Sequence, residues 1–232
     1  MINLKKMVTT IYVSLTMSII PLGQKAIAGV DANVQSQAAS VRPAQIGQAW
    51  VYQVRNLYNN LIEDEITEVV TAITPNITIE RTSKKYGVLK PEIQSSIGMV
   101  ISDPYWNPSV HFHDPKPMWL LQSDNNQDFR SLYGVDDGSG YYEWASQFSR
   151  IGNETVVVNG KSYSSMKSVE TIQFISSDFS QKGNTRVNLI WLDPAIGRWV
   201  MREINGAYYD ANSGRGGDRY ESHLRYELIF WK

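Results

Sequence analysis

Two histidines carry the most specific candidate chemistry in this sequence. His111 and His113 flank Phe112 and are followed by Asp114. Residues two apart on a strand face the same side, so two imidazoles beside a carboxylate could bind Zn²⁺ or Cu²⁺. The protein has only three histidines, and no third ligand is defined by spacing. We therefore predict a solvent-facing edge strand and no metal site, with a metal-dependent hydrolase built on this pair as the alternative.

A second candidate is a partial calcium-loop pattern. Asp124, Asn126 and Asp128 have the spacing of its first three ligands. Phe129 stands where the loop needs glycine, and the final glutamate is missing. The pattern predicts an ordinary polar turn.

The remaining polar groups also lack a catalytic arrangement. Glu63, Asp64 and Glu65 are consecutive, and on a strand the middle carboxylate points away from the other two, which predicts a solvated face. Residues 136–140 lack the strand and helix context of a nucleophile elbow, and residues 214–217 lack the spacing of a dinucleotide fingerprint. We predict no catalytic residues and no cofactor, and the sequence does not identify the binding residues.

The N-terminus has the pattern of an export signal. Lys5 and Lys6 precede an apolar run over residues 7–22, and Ala26 and Ala28 supply small residues at the cleavage positions. The run is too short to span a bilayer, and no later stretch is apolar enough. We predict a signal peptide over residues 1–28 and a product that is periplasmic or secreted, with no membrane span after cleavage.

Composition narrows the class of protein. Cysteine is absent, which excludes disulfides, thiolate metal sites and a cysteine nucleophile. Removing residues 1–28 takes away three of the 22 basic side chains and no acid, which leaves a net charge of −4. Nucleic-acid binding needs a clustered basic face, and none is visible. We predict an exported bacterial protein that does not bind nucleic acid.

Periodicity favours strands. Trp50, Tyr52 and Val54 alternate with polar or smaller residues, which is typical of a half-buried strand. In the following run the apolar parity slips between Ile66 and Val69. A β-bulge would explain the slip, and a short helix over residues 61–72 is the competing interpretation.

Turn chemistry predicts two further hairpins. Asp193, Pro194 and Gly197 suit a tight connection, which Trp191 and Trp199 bracket. Asn-Gly at 159–160 is a strong hairpin signal. The strand over residues 219–230 alternates cleanly, with apolar residues on one face and charged residues on the other.

The middle of the chain breaks this regularity. Five prolines are scattered through residues 83–140, which predicts edge strands and long loops, and ligand contacts would concentrate there. A short Trp-x-x-Gln repeat occurs at Trp50 and again at Trp144.

From the strand periodicity and the turn signals we predict an all-β fold, an antiparallel sheet built from hairpins, in which two similar halves could form one curved sheet or an open barrel. Residues 29–45 are predicted as a flexible lead-in and residues 46–232 as a single β-rich domain.

Three short blocks carry a resemblance. Together with the leader, residues 47–52, 153–163 and 191–200 resemble uncharacterised exported β-proteins of bacteria, many of which are known only as domains of unknown function. The resemblance implies export and a hairpin-built antiparallel sheet, and it carries over no catalytic residues. We predict a non-catalytic envelope or binding protein of unknown oligomeric state. It would hold an apolar molecule, a glycan or a partner protein on an aromatic sheet face.

The leader pattern makes a direct prediction about processing. Because the charged start, the apolar run and the small-residue site coincide, the exported protein should begin at Gly29. N-terminal sequencing of protein recovered outside the cytoplasm checks this. Recovery of a chain that still begins with Met1 would contradict it.

Overall fold

The computed structural model describes residues 40–106, 109–120, 126–135, 140–175, 185–210 and 217–232. Within those ranges the chain forms strands and turns, and no helix there could cross a membrane. The strands are β1 (Ala49–Asn56), β2 (Ile62–Ala72), β3 (Ile77–Ser83), β4 (Gly87–Ser96), β5 (Met99–Asp103), β6 (Val110–Pro117), β7 (Asn126–Val135), β8 (Tyr141–Val158), β9 (Lys161–Ile175), β10 (Thr185–Asp193), β11 (Arg198–Asp210), β12 (Gly217–Tyr220) and β13 (Leu224–Trp231).

Hydrogen bonding joins these strands into one closed antiparallel sheet. From β1 to β11 each strand pairs with the next in sequence, and β13 pairs with both β1 and β11 to complete the ring. Strand β12 pairs with the far end of β11 and continues the line of β13. The predicted all-β antiparallel architecture is confirmed, and the described sheet is closed. Closure leaves few unpaired strand edges.

The aromatic alternation seen in β1 fills the interior. Trp199 is 0 % exposed and stacks on Tyr52 with ring centroids 3.9 Å apart, while Tyr105 and Tyr226 meet it edge-on at 5.9 and 6.0 Å. The Tyr52 hydroxyl donates to the Trp199 carbonyl at 2.9 Å. A second apolar cluster lies against β6 to β9 and contains Val110, Phe112, Tyr133, Trp144 and Ile172.

Antiparallel pairing sends successive connections to opposite ends of the ring. At the end that holds both described chain termini, which we call the terminal end, the Arg42 amide donates to the Pro194 carbonyl at 2.8 Å. Gly98 has φ +75° there, and a Cβ at this position would lie 2.8 Å from the Trp119 ring, so only glycine fits. Val41 and Ala44 pack against the core. Val41 and Ala44 belong to the segment predicted as a flexible lead-in, and both are half-buried against the core.

The proline-rich middle is more regular than its sequence predicts. Strands β4, β5 and β6 each have a neighbour on both sides, which corrects the expectation of edge strands. On β4, Lys90 and Pro91 together face Glu80, as in a bulge. On β6, Pro115 lies where the register with β5 shifts. Pro91 and Pro115 are accommodated because each falls at a break in the hydrogen-bond ladder.

The parity slip in the second run has a different cause from the one predicted. Residues 62–72 form strand β2, so the competing helix is wrong. Ile66, Glu68 and Val70 all point inward without interruption, and Val69 is an outward residue. The slip arises because the inward position between two apolar residues is a glutamate.

Both predicted tight hairpins are present. The Asp193 side chain accepts the Ala195 amide at 2.9 Å, and Gly197 has φ +73°. Asn159 and Gly160 both take positive φ, as a type I′ turn requires. In β13 the predicted alternation holds until a register shift against β1, beyond which Phe230 is half-exposed.

Burial of the hairpin tryptophans predicts a large stability effect. Both Trp191 and Trp199 are buried, so Trp199→Ala should lower the free energy of unfolding by about 3–5 kcal/mol. The control is Phe230→Ala, an aromatic truncation at a half-exposed site, which should cost about 1 kcal/mol or less. Urea unfolding measures both. Equal small losses would mean that Trp199 is not a core residue.

Candidate functional site

The interior contains a cluster of charged side chains centred on Glu68. This carboxylate is completely buried on β2. Arg81 Nε donates to Glu68 Oε1 at 3.1 Å, and Arg198 donates to Oε2 from Nε at 3.1 Å and from Nη2 at 2.7 Å. A buried charge is stable only when it is paired and hydrogen-bonded. Glu68 meets that condition with two guanidinium groups.

Arg198 bridges Glu68 to a second buried carboxylate. Its Nη1 and Nη2 donate to Glu92 at 2.9 and 2.8 Å, and Gln94 also donates to Glu92. Burial disfavours the charged form of Glu92, but the charge and hydrogen bonds of Arg198 outweigh it and hold the Glu92 pKa below its usual value. Burial also opposes the charge of Arg198, yet Glu68 and Glu92 raise its pKa well above the ordinary value. Glu92 and Arg198 are therefore charged at neutral pH.

The connection between β5 and β6 inserts into this interior. The guanidinium carbons of Arg81 and Arg202 lie 4.1 and 4.2 Å from the centroid of the Tyr105 ring, and Arg186 Nη1 donates to the Tyr105 carbonyl at 3.1 Å. The Tyr105 hydroxyl donates to Glu68. Burial, and next the charge of Glu68, raise the pKa of Tyr105 well above its usual value, so the hydroxyl keeps its proton. Three arginines thus hold one loop tyrosine in the core.

Two more ion pairs extend the polar interior toward β9 and β13. Lys116 Nζ lies 2.8 Å from Glu170, which also accepts Asn188 Nδ2 at 2.9 Å. Arg186 donates to Glu221 from Nε at 2.7 Å and from Nη2 at 2.6 Å. Each of these carboxylates forms an ion pair with a cation. They are unsuited to general acid or base catalysis, which needs a group that reaches substrate.

The sequence analysis did not predict this cluster, because its members are far apart in the chain. Glu68 and Arg198 come from β2 and β11, and single charged residues in apolar strands give no spacing motif. One signal was present: the parity slip at residues 66–69 marked the position of Glu68.

The predicted histidine pair lies elsewhere. His111 and His113 are on the outer face of β6, with the inward Phe112 between them. The nearest carboxylate to the second imidazole is Asp114, 3.5 Å from His113 Nδ1, and both side chains are mostly exposed. Across the described ranges, no group of three or more possible ligand side chains lies close enough to hold one metal ion. The hydrolase alternative gains no site from these residues.

The acidic candidates also take structural positions. Asp64 accepts the Ser83 hydroxyl at 2.5 Å and the Lys85 amide at 3.1 Å, so it organises the β3–β4 turn. Asn126 and Asp128 lie in strand β7, which corrects the predicted polar turn. Asp124 and residues 136–139 and 211–216 lie outside the described residues.

A shallow cleft of about 450 Å³ lies beside this turn. Its charges are mixed: Glu65 and Lys84 are 4.0 Å apart, and their side chains are 41 and 76 % exposed. Such a pair is screened by solvent and gives no strong field for a charged ligand. The lining residues are Gln53, Ile62, Glu63, Asp64, Glu65, Lys84, Lys85, Asn159 and Ile229.

Exposed tyrosines collect at the end of the ring opposite the chain termini, which we call the tyrosine end. Tyr58, Tyr86, Tyr141 and Tyr220 are 63 to 72 % exposed. Tyr58 and Tyr86 lie in connections between strands, Tyr141 begins β8 and Tyr220 ends β12. Leu61, Ile62 and Val88 add exposed apolar surface beside them. Among the described side chains, the tyrosine end therefore exposes more aromatic surface than the terminal end.

Comparisons with known proteins describe the fold. No family model and no curated protein matches the chain. A crystal structure of a Parabacteroides distasonis protein, provisionally assigned as a lipoprotein, is similar with a TM-score of 0.51 and 12 % identity, over 82 % of this chain and 97 % of that one. The hypothetical lipoprotein YmcC of Escherichia coli is similar with a TM-score of 0.47 and 13 % identity, over 81 % of this chain and 89 % of that one. At this identity the first likeness supports the β-rich fold alone.

Removal of the central charge should strongly destabilise the protein. Glu68→Gln leaves Arg81 and Arg198 in the core with one carboxylate fewer, so the free energy of unfolding should fall by about 3–5 kcal/mol. Glu65→Gln is the matched control on the same strand, because its exposed ion pair should contribute about 1 kcal/mol or less. Equal stability of the two variants in urea would contradict the role given to Glu68.

Proposed function

We propose that this chain is an exported, non-catalytic envelope protein that binds another envelope protein through its tyrosine end. The observation that carries the proposal is the placement of Tyr58, Tyr86, Tyr141 and Tyr220 at that end, all of them strongly exposed. Tyrosine is enriched in protein interfaces because its ring buries a large area and its hydroxyl still finds a hydrogen-bond partner.

The interior is a poorer candidate for a binding face. Trp50 and Trp199 are buried in the main apolar cluster, and Trp144 is buried in the second one, so none of them offers an open aromatic face. A ligand would have to displace Tyr105, which Arg81 and Arg202 contact and which donates to Glu68. Aromatic residues that remain open to solvent are the better basis for recognition.

The arrangement favours a protein over a small ligand. The four tyrosines lie on separate hairpins spread around the ring, so they form a broad surface and do not converge on one pocket. A stable protein interface covers roughly 800 Å² on each partner, which suits a surface of this kind. A glycan or an apolar molecule needs a narrower groove or a concave pocket.

Export rests on the leader pattern of residues 1–28 and is supported by the likeness to a structure assigned as a lipoprotein. The proposed site of action is the cell envelope, periplasmic or after release. Both described chain ends lie at the terminal end, where the Ala49 amide donates to the Lys232 carbonyl at 3.1 Å. The described chain therefore begins and ends on the side of the ring opposite the tyrosines.

Site-specific photo-crosslinking in the producing cells tests this proposal. A benzophenone amino acid replaces Tyr58, Tyr86, Tyr141 or Tyr220 in turn, and each of these exposed replacements should change stability by about 0.5 kcal/mol or less. We expect a discrete higher-mass adduct that protease digests. The matched control places the same group at Phe230, a half-exposed aromatic at the terminal end, and should give no such adduct.

Three results would contradict the proposal. Equal cross-linking from Phe230 would mean that the tyrosine end is not selective. No adduct from any of the four tyrosines would mean that this surface has no partner. An adduct that resists protease would identify a glycan or lipid and overturn the assignment of a protein partner.

A further inference from the structure

Arg202 occupies an unusual position in the interior. It lies on β11, opposite Ile190 of β10 and Tyr226 of β13, and points into the closed sheet, where it is 2 % exposed. Its guanidinium carbon lies 4.2 Å from the centroid of the Tyr105 ring. A ring over the guanidinium plane stabilises the charge by a cation–π contact, but it does not accept the N–H groups that project within that plane.

Those N–H groups are not satisfied. Arg202 Nε and Nη1 are buried and have no hydrogen-bond acceptor among the residues that the structure describes. Leaving a buried donor without an acceptor is costly, and more so when the donor is charged. By contrast, Arg81, Arg186 and Arg198 each donate to at least one carboxylate.

No buried carboxylate among the described residues accepts these N–H groups of Arg202. Glu68 and Glu92 already accept Arg81 and Arg198. Asp103, which is also buried, accepts the Tyr105 amide at 2.9 Å, and Glu170 is bound by Lys116. Water could accept the N–H groups of Arg202, but it would not pair with the charge of the guanidinium.

We propose that Arg202 forms an internal anion-binding site that takes a single carboxylate group. A monoanion would pair with the single positive charge of Arg202, and the planar oxygens of a carboxylate fit the in-plane donors of a guanidinium. The Tyr105 ring covers one face of the guanidinium and leaves its edge for the anion. The carboxylate belongs either to a small free acid or to the end of a longer molecule. This site is separate from the tyrosine end and does not depend on the proposed partner.

Anion titration of the purified protein tests the assignment. The wild-type protein is titrated with acetate in a chloride-free zwitterionic buffer, and binding is followed by calorimetry and by the melting temperature. At about ten times its Kd, acetate should raise the melting temperature by about 3–6 °C. Hexanoate is the second probe: a Kd well below that of acetate would assign the carboxylate to a longer molecule, and binding of acetate alone would assign it to a free acid.

The variant Arg202→Gln should lose the acetate response, with at least a tenfold increase in Kd. Arg130→Gln is the matched control, since it makes the same change at a side chain that is 73 % exposed on the outside of the ring, and it should keep the wild-type response. An acetate response that persists in Arg202→Gln would overturn the site. So would a wild-type protein that does not respond to acetate or hexanoate.

A second measurement decides the question if Arg202→Gln does not fold. Crystals of the wild-type protein are soaked in bromide, which occupies monoanion sites and is located by its anomalous scattering. We expect a bromide peak within hydrogen-bond distance of Arg202 Nε or Nη1. Bromide peaks elsewhere without one at Arg202 would overturn the proposal.

Discussion

The pairing of Glu68 with Arg81 and Arg198 is the constraint on which the closed sheet depends. Glu68 and Arg81 lie on the neighbouring strands β2 and β3, whereas Arg198 belongs to β11, beyond β1 and β13 on the ring. The Glu68–Arg198 ion pair therefore connects two strands, β2 and β11, that share no backbone hydrogen bonds. A shift of one residue in the pairing of a strand would move its charged side chain to the outer face and leave the partner unpaired in the interior. The cluster therefore also fixes the strand register.

This constraint bears on where recognition can take place. Most polar groups of the interior bind one another, and Tyr105 is held among them. Most of the inside of the ring therefore serves as a rigid support. A rigid scaffold commonly carries its binding residues on its connections. Here the connections at the tyrosine end have the exposed aromatic groups, and the interior contains one arginine, Arg202, whose Nε and Nη1 have no acceptor among the described residues.

Local signals in the sequence predicted the local structure well. The Asp193 to Gly197 turn and the Asn159-Gly160 turn depend only on neighbouring residues, and both are present. Interior pairing was not predictable, because Glu68 and Arg198 are 130 residues apart and no motif links them. The prediction from Pro91 was wrong for a related reason: a proline excludes a regular ladder position, but the bulge on β4 removes the conflict. The exposed tyrosines could be placed at one end only once the strand order was known.

The meeting of the two described chain ends has a consequence for how this protein can be rearranged. Ala49 and Lys232 exchange backbone hydrogen bonds at 3.1 and 3.0 Å, and the Arg42 guanidinium lies over the Trp231 ring. A short linker could therefore join the ends, with new termini opened at the exposed Asn159-Gly160 turn, and every strand pair would be kept. The ring fixes which strands are neighbours, and it leaves open where along it the chain begins.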